Sequence, residues 1–382
     1  MTKQKMIPYG QQWIDDDDIK NVVEVLNEEW ITTGPRIDEF ETNLSAYIGC
    51  SHAIAVNSGT SALDIAVKAL DIPVGSEVIT TPFTFVATPN SILYNNLKPV
   101  FSDIREDTRN IDPDDIRKRI GDKTRAITYV DYAGHPCDFD EIKEIAEEYD
   151  LYLIEDACHA IGAEYHGKKT GNFADITVFS FHPVKHITTG EGGALVTDDD
   201  VLVRKLRMLR NHGIDRNARD RFGPEAGWAY DIVELGRNYR MTDFQAALGI
   251  SQLKKLDGFI KRRNEIAKIY NSEFEGFDYI ENPVTLPNIR HAWHIYTVLL
   301  KGVDRNNLFT ELRKRGIGVN VHYIPSYRFT YYQNHVVPGD LSLPVTEDVF
   351  NRIITLPLYP KMSDEDIYTV IDTVKTTIEE LS

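Results

Sequence analysis

Lys185 lies in SFHPVKHITTGEGG, between the apolar run ADITVFSF and a glycine-rich turn. Taken alone, a loop lysine is a solvated cation. Held at the end of a buried strand, its amine can instead bond an aldehyde and move protons. Asp156 closes the run LYLIED, 29 residues earlier (185 − 156). A carboxylate there either caps the next turn or holds the proton of a cationic ring nitrogen. Ser58, Gly59, Thr60 and Ser61 follow the run HAIAVN and open SALDIAVKAL. Free N–H groups and hydroxyls at a helix start make a phosphate cradle, although the same residues also serve as an ordinary cap. No GK[ST] follows, so this is not a nucleotide P-loop. Phe85, in TPFTFVAT, is either a core ring or a cover for a planar ligand.

These groups need a scaffold that brings them together. From about residue 50 to 200, β-rich runs (HAIAVN, EVITTP, KPVFSDI, RAITYVDY, LYLIED, ADITVFSF, GGALVTDD) alternate with helical patterns. In IDPDDIRKRIG, Asp112 caps and Pro113 takes the first helical position. The alternation predicts an α/β fold with a mostly parallel sheet covered on both faces. Ligands in such sheets bind beyond the carboxyl ends of the strands, where all four candidates fall. Amine, acid, phosphate cradle and stacking ring are together what pyridoxal 5′-phosphate requires. After about residue 200 the pattern changes. DVLVRKLRMLRNHG reads as a helix closed by Gly213, and an irregular stretch leads to one long helix from Thr242 or Asp243. A smaller α+β pattern follows, with strands HAWHIYTVLL and GVNVHY and a last helix in SDEDIYTVIDTVKTTIEEL. Two lobes are expected, residues 1–255 and 256–382, the boundary lying in the long helix.

Composition narrows the partners. The net charge of −17, with acids spread along the chain, argues against nucleic acid or an anionic membrane as main partner. Cys50, Cys137 and Cys158 are too few for a disulfide framework and suit a reducing compartment. No metal-ligand spacing occurs, and neither a leader-like apolar segment nor a run of 18 apolar residues is present; a cytoplasmic protein is expected.

With these residues in view, EDACHAIGAEYHGKKTGNFADITVFSFHPVKHITTGEGGALVTDD resembles the DegT/DnrJ/EryC1/StrS aminotransferases of nucleotide-sugar metabolism. The resemblance extends from WITTGPRIDEFE through NSGTSALDIAV, TPFTFVATPNSI and GRNYRMTDFQAALG to VHYIPSY. It implies the aspartate-aminotransferase-like fold of pyridoxal-phosphate-dependent transferases (fold type I) and a homodimer with sites at its interface. It implies Lys185 as the Schiff-base lysine, Asp156 as the ring-nitrogen acid and His159 beside the ring. Gly59, Thr60, Ser61 and Ser180 would hold the phosphate, Phe85 would stack, and Asn238 would reach the phosphate of the neighbouring subunit. Tyr9, the segment Glu29, Trp30, Ile31 and Thr32, and the segment His322, Tyr323, Ile324 and Pro325 match substrate-contacting stretches, although Trp30 and Tyr323 also suit interface or lobe packing. A dehydratase branch of the family carries histidine in place of the lysine, so Lys185 favours transamination over dehydration, while a regulator without turnover would keep the lysine and is disfavoured by the acidic chain and the lack of a DNA-binding segment. Glutamate and a nucleotide-linked 4-keto sugar are the expected substrates.

Overall fold

Runs of Val, Ile, Ala and Phe with few charges fill both faces of a pleated surface, and here they build one seven-stranded sheet. The computed structural model describes residues 6–28, 30–215, 229–337 and 339–382. The strands are β1 (His52–Val56), β2 (Glu77–Thr80), β3 (Lys98–Phe101), β4 (Thr124–Val130), β5 (Tyr152–Asp156), the short pair β6 (Glu164–Tyr165) and β7 (Lys168–Lys169), β8 (Ile176–Ser180) and β9 (Gly193–Thr197). The large sheet has the order β1-β9-β8-β5-β4-β2-β3. All its neighbours are parallel except β1–β9 and β9–β8, so β9 alone runs against the rest. The expected mostly parallel sheet is therefore present, with one reversed strand.

Helices α1 (Asp16–Leu26) and α2 (Pro35–Ile48) precede the sheet, and α3 (Gly59–Ala69), α4 (Ala87–Tyr94), α5 (Pro113–Arg119), α6 (Phe139–Tyr149) and α7 (Asp200–Arg210) join or follow its strands. Strand side chains alternate between faces. Ala53, Ala55 and Phe179 pack with Phe40 and Leu44 of α2, whereas Ile54, Val56 and Val178 pack with Leu63 of α3 and Leu206 of α7. The same alternation sends Asp156 to the α3 face with Ile154 and turns Glu155 to the opposite face.

The helical run from Thr242 is two helices, α8 (Asp243–Leu253) and α9 (Leu256–Phe274), not one. Thr242 and Gln245 close a capping box at its start. At the break, Lys255 turns to Asp15 and Asp18 of α1, 2.8 and 2.5 Å away, which a continuous helix would not require. Leu256, Phe259 and Ile260 of α9 stay in the α2-side core, while Ile266, Tyr270 and Phe274 enter a second core. That core rests on β10 (Ile280–Glu281), β12 (Tyr296–Leu300) and β13 (Ile353–Leu356), and a separate ladder pairs β11 (Ile289–Arg290) with β6. The remaining helices are α10 (Arg305–Lys314), α11 (Thr330–His335), α12 (Pro344–Arg352) and α13 (Asp364–Leu381).

Two expected strands differ. GVNVHY makes only a single bridge, Asn320 with Thr355, and Ile317 just before it bridges Ile7 instead, so the chain changes partner between contacts and builds no ladder. In HAWHIYTVLL the strand begins at Tyr296, and His291–His294 form a turn with Trp293 at φ 51°. Hydrogen bonds from Ala292 N to Gly134 O (2.9 Å) and from His294 N to Ala133 O (2.8 Å) dock that turn against the end of β4. Ile7 is also part of the second core, where Gly318 N donates to its carbonyl at 2.7 Å. Among the described residues no helix is long and apolar enough to cross a membrane.

Candidate active site

The carboxyl ends of β1, β2, β5 and β8 open onto one cavity of about 640 Å³. Its wall holds Lys185, Asp156, Gly59, Thr60, Phe85, His159 and Ser180, and, from the N-terminal and second-core segments, Tyr9, His322 and Tyr323. Residues up to 314 positions apart in the chain (323 − 9) thus share one space.

The start of α3 forms the end of the cavity suited to an anion. Ser58 caps the helix, its Oγ accepting the N–H of Ser61 at 3.0 Å, while the N–H groups of Gly59 and Thr60 precede the intrahelical ladder. A Cβ on Gly59 would lie 2.9 Å from Ser180 Cβ, and one on Gly193 would lie 2.6 Å from Ser58 O. The two glycines therefore let the helix start press onto β8 and β9, bringing Ser180 beside it. Ser61 does not join the wall, because its hydroxyl donates to Asn57 Oδ1 at 2.6 Å.

Asp156 ends β5 and is buried. Its Oδ2 accepts the hydroxyl of Thr88 at 2.6 Å and its Oδ1 accepts the N–H of Cys158 at 3.2 Å. Lys185 sits on the β8–β9 connection, its N–H bonded to His182 O at 2.8 Å. Burial pushes its amine below the ordinary lysine range, while Cys158 and Asp156 pull the other way.

Beyond the lysine lies a wall of imidazoles. The His159 ring is 4.4 Å from that of His294, and its Nε2 is 3.0 Å from the Tyr323 hydroxyl. His186 donates from Nε2 to Ala292 O at 3.1 Å. Burial, above all, pushes His159, His186 and His294 well below the usual imidazole range, with nearby positive groups adding to it. His322 falls to about 3 by burial and then by the Lys185 charge. These rings are neutral at neutral pH. Phe85 stands at the rim, 58% exposed, its ring 6.4 Å from that of Tyr323.

The remaining expected residues lie off this wall. Trp30 and Ile31 are exposed between α1 and α2, and Thr32 bridges Thr242. Ile324 is exposed, and Pro325 precedes a short 3-10 turn. Asn238 pairs with Asn211, its carbonyl accepting from Asn57 Nδ2 at 3.4 Å. Glu29 lies outside the described residues. Thr84, Thr88, Cys158 and His294 are on the wall without having been singled out from the sequence. The first two flank Phe85 at a spacing of four, a signal that was available.

The donor set fits pyridoxal 5′-phosphate. A helix start without Cβ obstruction suits the phosphate, Asp156 a ring nitrogen and Lys185 an aldehyde. The buried Nδ1 of His159, which has no partner among the described residues, adds a polar group beside the ring position.

Fold and site together define an aminotransferase, and the comparisons specify which kind. Residues 12–375 match the DegT/DnrJ/EryC1/StrS aminotransferase family, to which the chain belongs. It is 40% identical over 382 residues to the UDP-4-amino-4,6-dideoxy-N-acetyl-beta-L-altrosamine transaminase of Campylobacter jejuni subsp. jejuni serotype O:23/36, with 98% of each chain covered. PseC of Helicobacter pylori, an aminotransferase involved in the biosynthesis of pseudoaminic acid, superposes with a TM-score of 0.93 at 34% identity, covering 98% of this chain and 100% of PseC. The putative sugar aminotransferase Spr1654 of Streptococcus pneumoniae, solved in its PLP-form, gives a TM-score of 0.92 at 32% identity, with 99% and 100% covered. It has also been solved in a PMP-form. Pyridoxal-phosphate dependence is thus a property of the family.

Proposed function

We propose that the chain uses pyridoxal 5′-phosphate to move an amino group from glutamate to C4 of a UDP-linked 4-keto-6-deoxy-2-acetamido sugar. The sugar corresponds to the reaction of the UDP-4-amino-4,6-dideoxy-N-acetyl-β-L-altrosamine transaminases that it resembles. The observation that carries the reading is the meeting of Lys185 and Asp156 on one cavity whose far end is the start of α3. When bound, the cofactor supplies an aldehyde that carries the amine and a ring that draws electrons from the substrate carbon. Lys185 Nζ holds the cofactor and then moves the proton at that carbon, work suited to an amine whose basicity burial has lowered. The Asp156 carboxylate holds the proton on the ring nitrogen. Gly59, Thr60 and Ser180 bind the phosphate, and Phe85 covers the ring.

Tyr9, His322 and Tyr323 contact the sugar from the wall they share with Lys185. Trp30, Ile31 and Thr32, together with Glu29, Ile324 and Pro325, act where two subunits meet, and Asn238 reaches the partner's phosphate; this part of the reading requires a homodimer. The chain divides near residue 255 into a cofactor lobe and a smaller lobe that share α9. Three free cysteines suit work in the cytoplasm. An aminotransferase for another nucleotide-linked keto sugar is the second reading, because the cavity wall does not itself specify uracil.

Purified protein given pyridoxal 5′-phosphate and glutamate, then a panel of UDP-, dTDP- and GDP-linked 4-keto sugars, decides between them. The expected result is amine transfer with the UDP-linked acetamido sugar fastest. A protein that takes up no cofactor ends the reading, and a preference for a dTDP- or GDP-sugar ends its substrate part.

A further inference from the structure

Asp156 is held from behind by a chain of hydroxyls. Thr88 Oγ1 lies 2.6 Å from Asp156 Oδ2, and Thr84 Oγ1 lies 3.3 Å from Thr88 Oγ1. Thr84 is 3% exposed and Thr88 1%, so bulk water does not compete for them. A hydroxyl has one proton to give, and a carboxylate has none. Thr88 gives its proton to Asp156, so it can meet Thr84 only as an acceptor. The direction is thereby fixed, from Thr84 to Thr88 to Asp156. The first contact lies in the range of charge-assisted O–H···O bonds, and a hydroxyl that itself receives a bond is a stronger donor. The second contact is longer and weaker. With Cys158 N on Oδ1, each carboxylate oxygen accepts a hydrogen bond from the protein, and the group lies on the cavity wall.

Thr84, on the connection from β2 to α4, and Thr88, in the first turn of α4, bracket Phe85, and all three line the cavity. The segment that carries the ring cover therefore also carries the donors that set the acid. Moving one moves the other.

We propose that Thr84 and Thr88 are positioning residues for transamination, a one-way hydroxyl chain that aims the Asp156 carboxylate at the ring nitrogen and couples it to the Phe85 segment. The proposal rests on reading the cavity as a pyridoxal-phosphate site.

The test is a double-mutant cycle on the full chain: wild type, Thr84→Val, Thr88→Val, the double variant and Thr88→Ser. Pyridoxal 5′-phosphate affinity is followed by tryptophan fluorescence, the glutamate half-reaction by absorbance, and folding by thermal melting. Thr88→Val should slow the half-reaction by about 10- to 100-fold, the range expected for a hydrogen bond to a charged group, and weaken cofactor binding, with the glutamate KM little changed. Thr84→Val should shift the same quantities less. The double variant should be no worse than Thr88→Val, because Thr84 acts only through Thr88. Thr88→Ser should recover most of the loss. Wild-type behaviour of Thr88→Val, additive losses in the double variant, or a Thr88→Ser as defective as Thr88→Val would each overturn the proposal. If Thr88→Val does not fold, an unaffected Thr84→Val or a defective but folded Thr88→Ser overturns it alone. A wild type that binds no cofactor removes the functional reading itself. A wild type that binds and reacts, beside an unaffected Thr88→Val, removes only the hydroxyl chain.

Discussion

Two adjacent carboxyl groups on β5 have the same kind of partner and opposite surroundings. Asp156 accepts the hydroxyl of Thr88 at 2.6 Å, and Glu155 accepts that of Thr177 at 2.6 Å. Strand alternation puts the first against the cavity and the second into the opposite face, where Glu155 also accepts Gly171 N at 2.9 Å. Asp131 stands beside Glu155, fully buried, its Oδ1 taken by Cys137 N and its Oδ2 left, among the described residues, to the Glu155 carboxyl alone. Burial first, and then the neighbouring Glu155 charge, pushes the Asp131 carboxyl well above its usual range, so the pair keeps a proton. The contrast separates two uses of a buried carboxyl. Where a lone pair faces open space, the group is available to a ligand. Where every lone pair faces protein, it serves packing and carries a pH-dependent cost.

Replacements on the two faces should therefore fail differently. Asp156→Asn has the largest expected effect. The amide cannot hold a proton on the ring nitrogen, so the glutamate half-reaction should fall by about two to three orders of magnitude while cofactor still binds. Single-turnover absorbance checks this, and unchanged rates would refute the assigned role. Thr177→Val removes a donor from Glu155 and should lower unfolding free energy by about 1–3 kcal/mol in urea titrations, without altering cofactor affinity. Loss of affinity at equal stability would erase the distinction between the faces. Asp131→Asn should act through pH. A carboxyl whose folded pKa is raised contributes stability that is complete below the unfolded pKa, near 4, and lost as pH rises through the folded value. The amide avoids that loss and offers Glu155 an N–H. Its melting temperature should exceed wild type by about 2–4 °C per kcal/mol gained at pH 8, with the gain shrinking toward pH 4. A gain that grows on acidification would contradict the shared proton.

The smallest effect near neutrality concerns the imidazole wall. His322 accepts from Asn320 Nδ2 at Nε2 (3.1 Å) and meets Thr355 Oγ1 at Nδ1 (2.9 Å), so the neutral ring satisfies both. Its folded pKa of about 3 lies below the unfolded value, near 6.5. The neutral ring's contribution is complete above about pH 6.5 and is lost as pH falls toward 3. His322→Phe should flatten the acid side of the stability–pH curve and, by losing both hydrogen bonds, lower stability at pH 7–8 by about 1 kcal/mol, independent of pH in that range.

The large sheet and its ligand edge were legible because strand and helix periodicities are local, and Lys185 and Asp156 stood out because both follow apolar runs. Thr84 and Thr88 were not read as site residues, because a threonine near a strand end has many uses and only the fold brings Asp156 to it. The pairing of Asp131 with Glu155 requires knowing that β4 and β5 are neighbours. The break between α8 and α9 coincides with Lys255 reaching back to Asp15 and Asp18, a long-range contact without a local mark. Ser61 stands at the helix start where a phosphate contact is expected, with its hydroxyl donating to Asn57 Oδ1.

The reversed strand β9 also orders assembly. Lys185 lies on the 12-residue connection between β8 and β9 (193 − 180 − 1), which pair with each other, so closing that loop costs less chain entropy than a pairing across the whole lobe. The helix start at Gly59 is positioned by β1, which pairs with β9 across most of the lobe's sequence, His52 opposite Thr197. Such distant pairing is slow to form. The frame of Lys185 can therefore exist before the start of α3 is docked, and under the proposed function cofactor capture would report the docking of β1. In refolding started with pyridoxal 5′-phosphate present, cofactor signal should rise with the slowest phase of sheet formation rather than ahead of it.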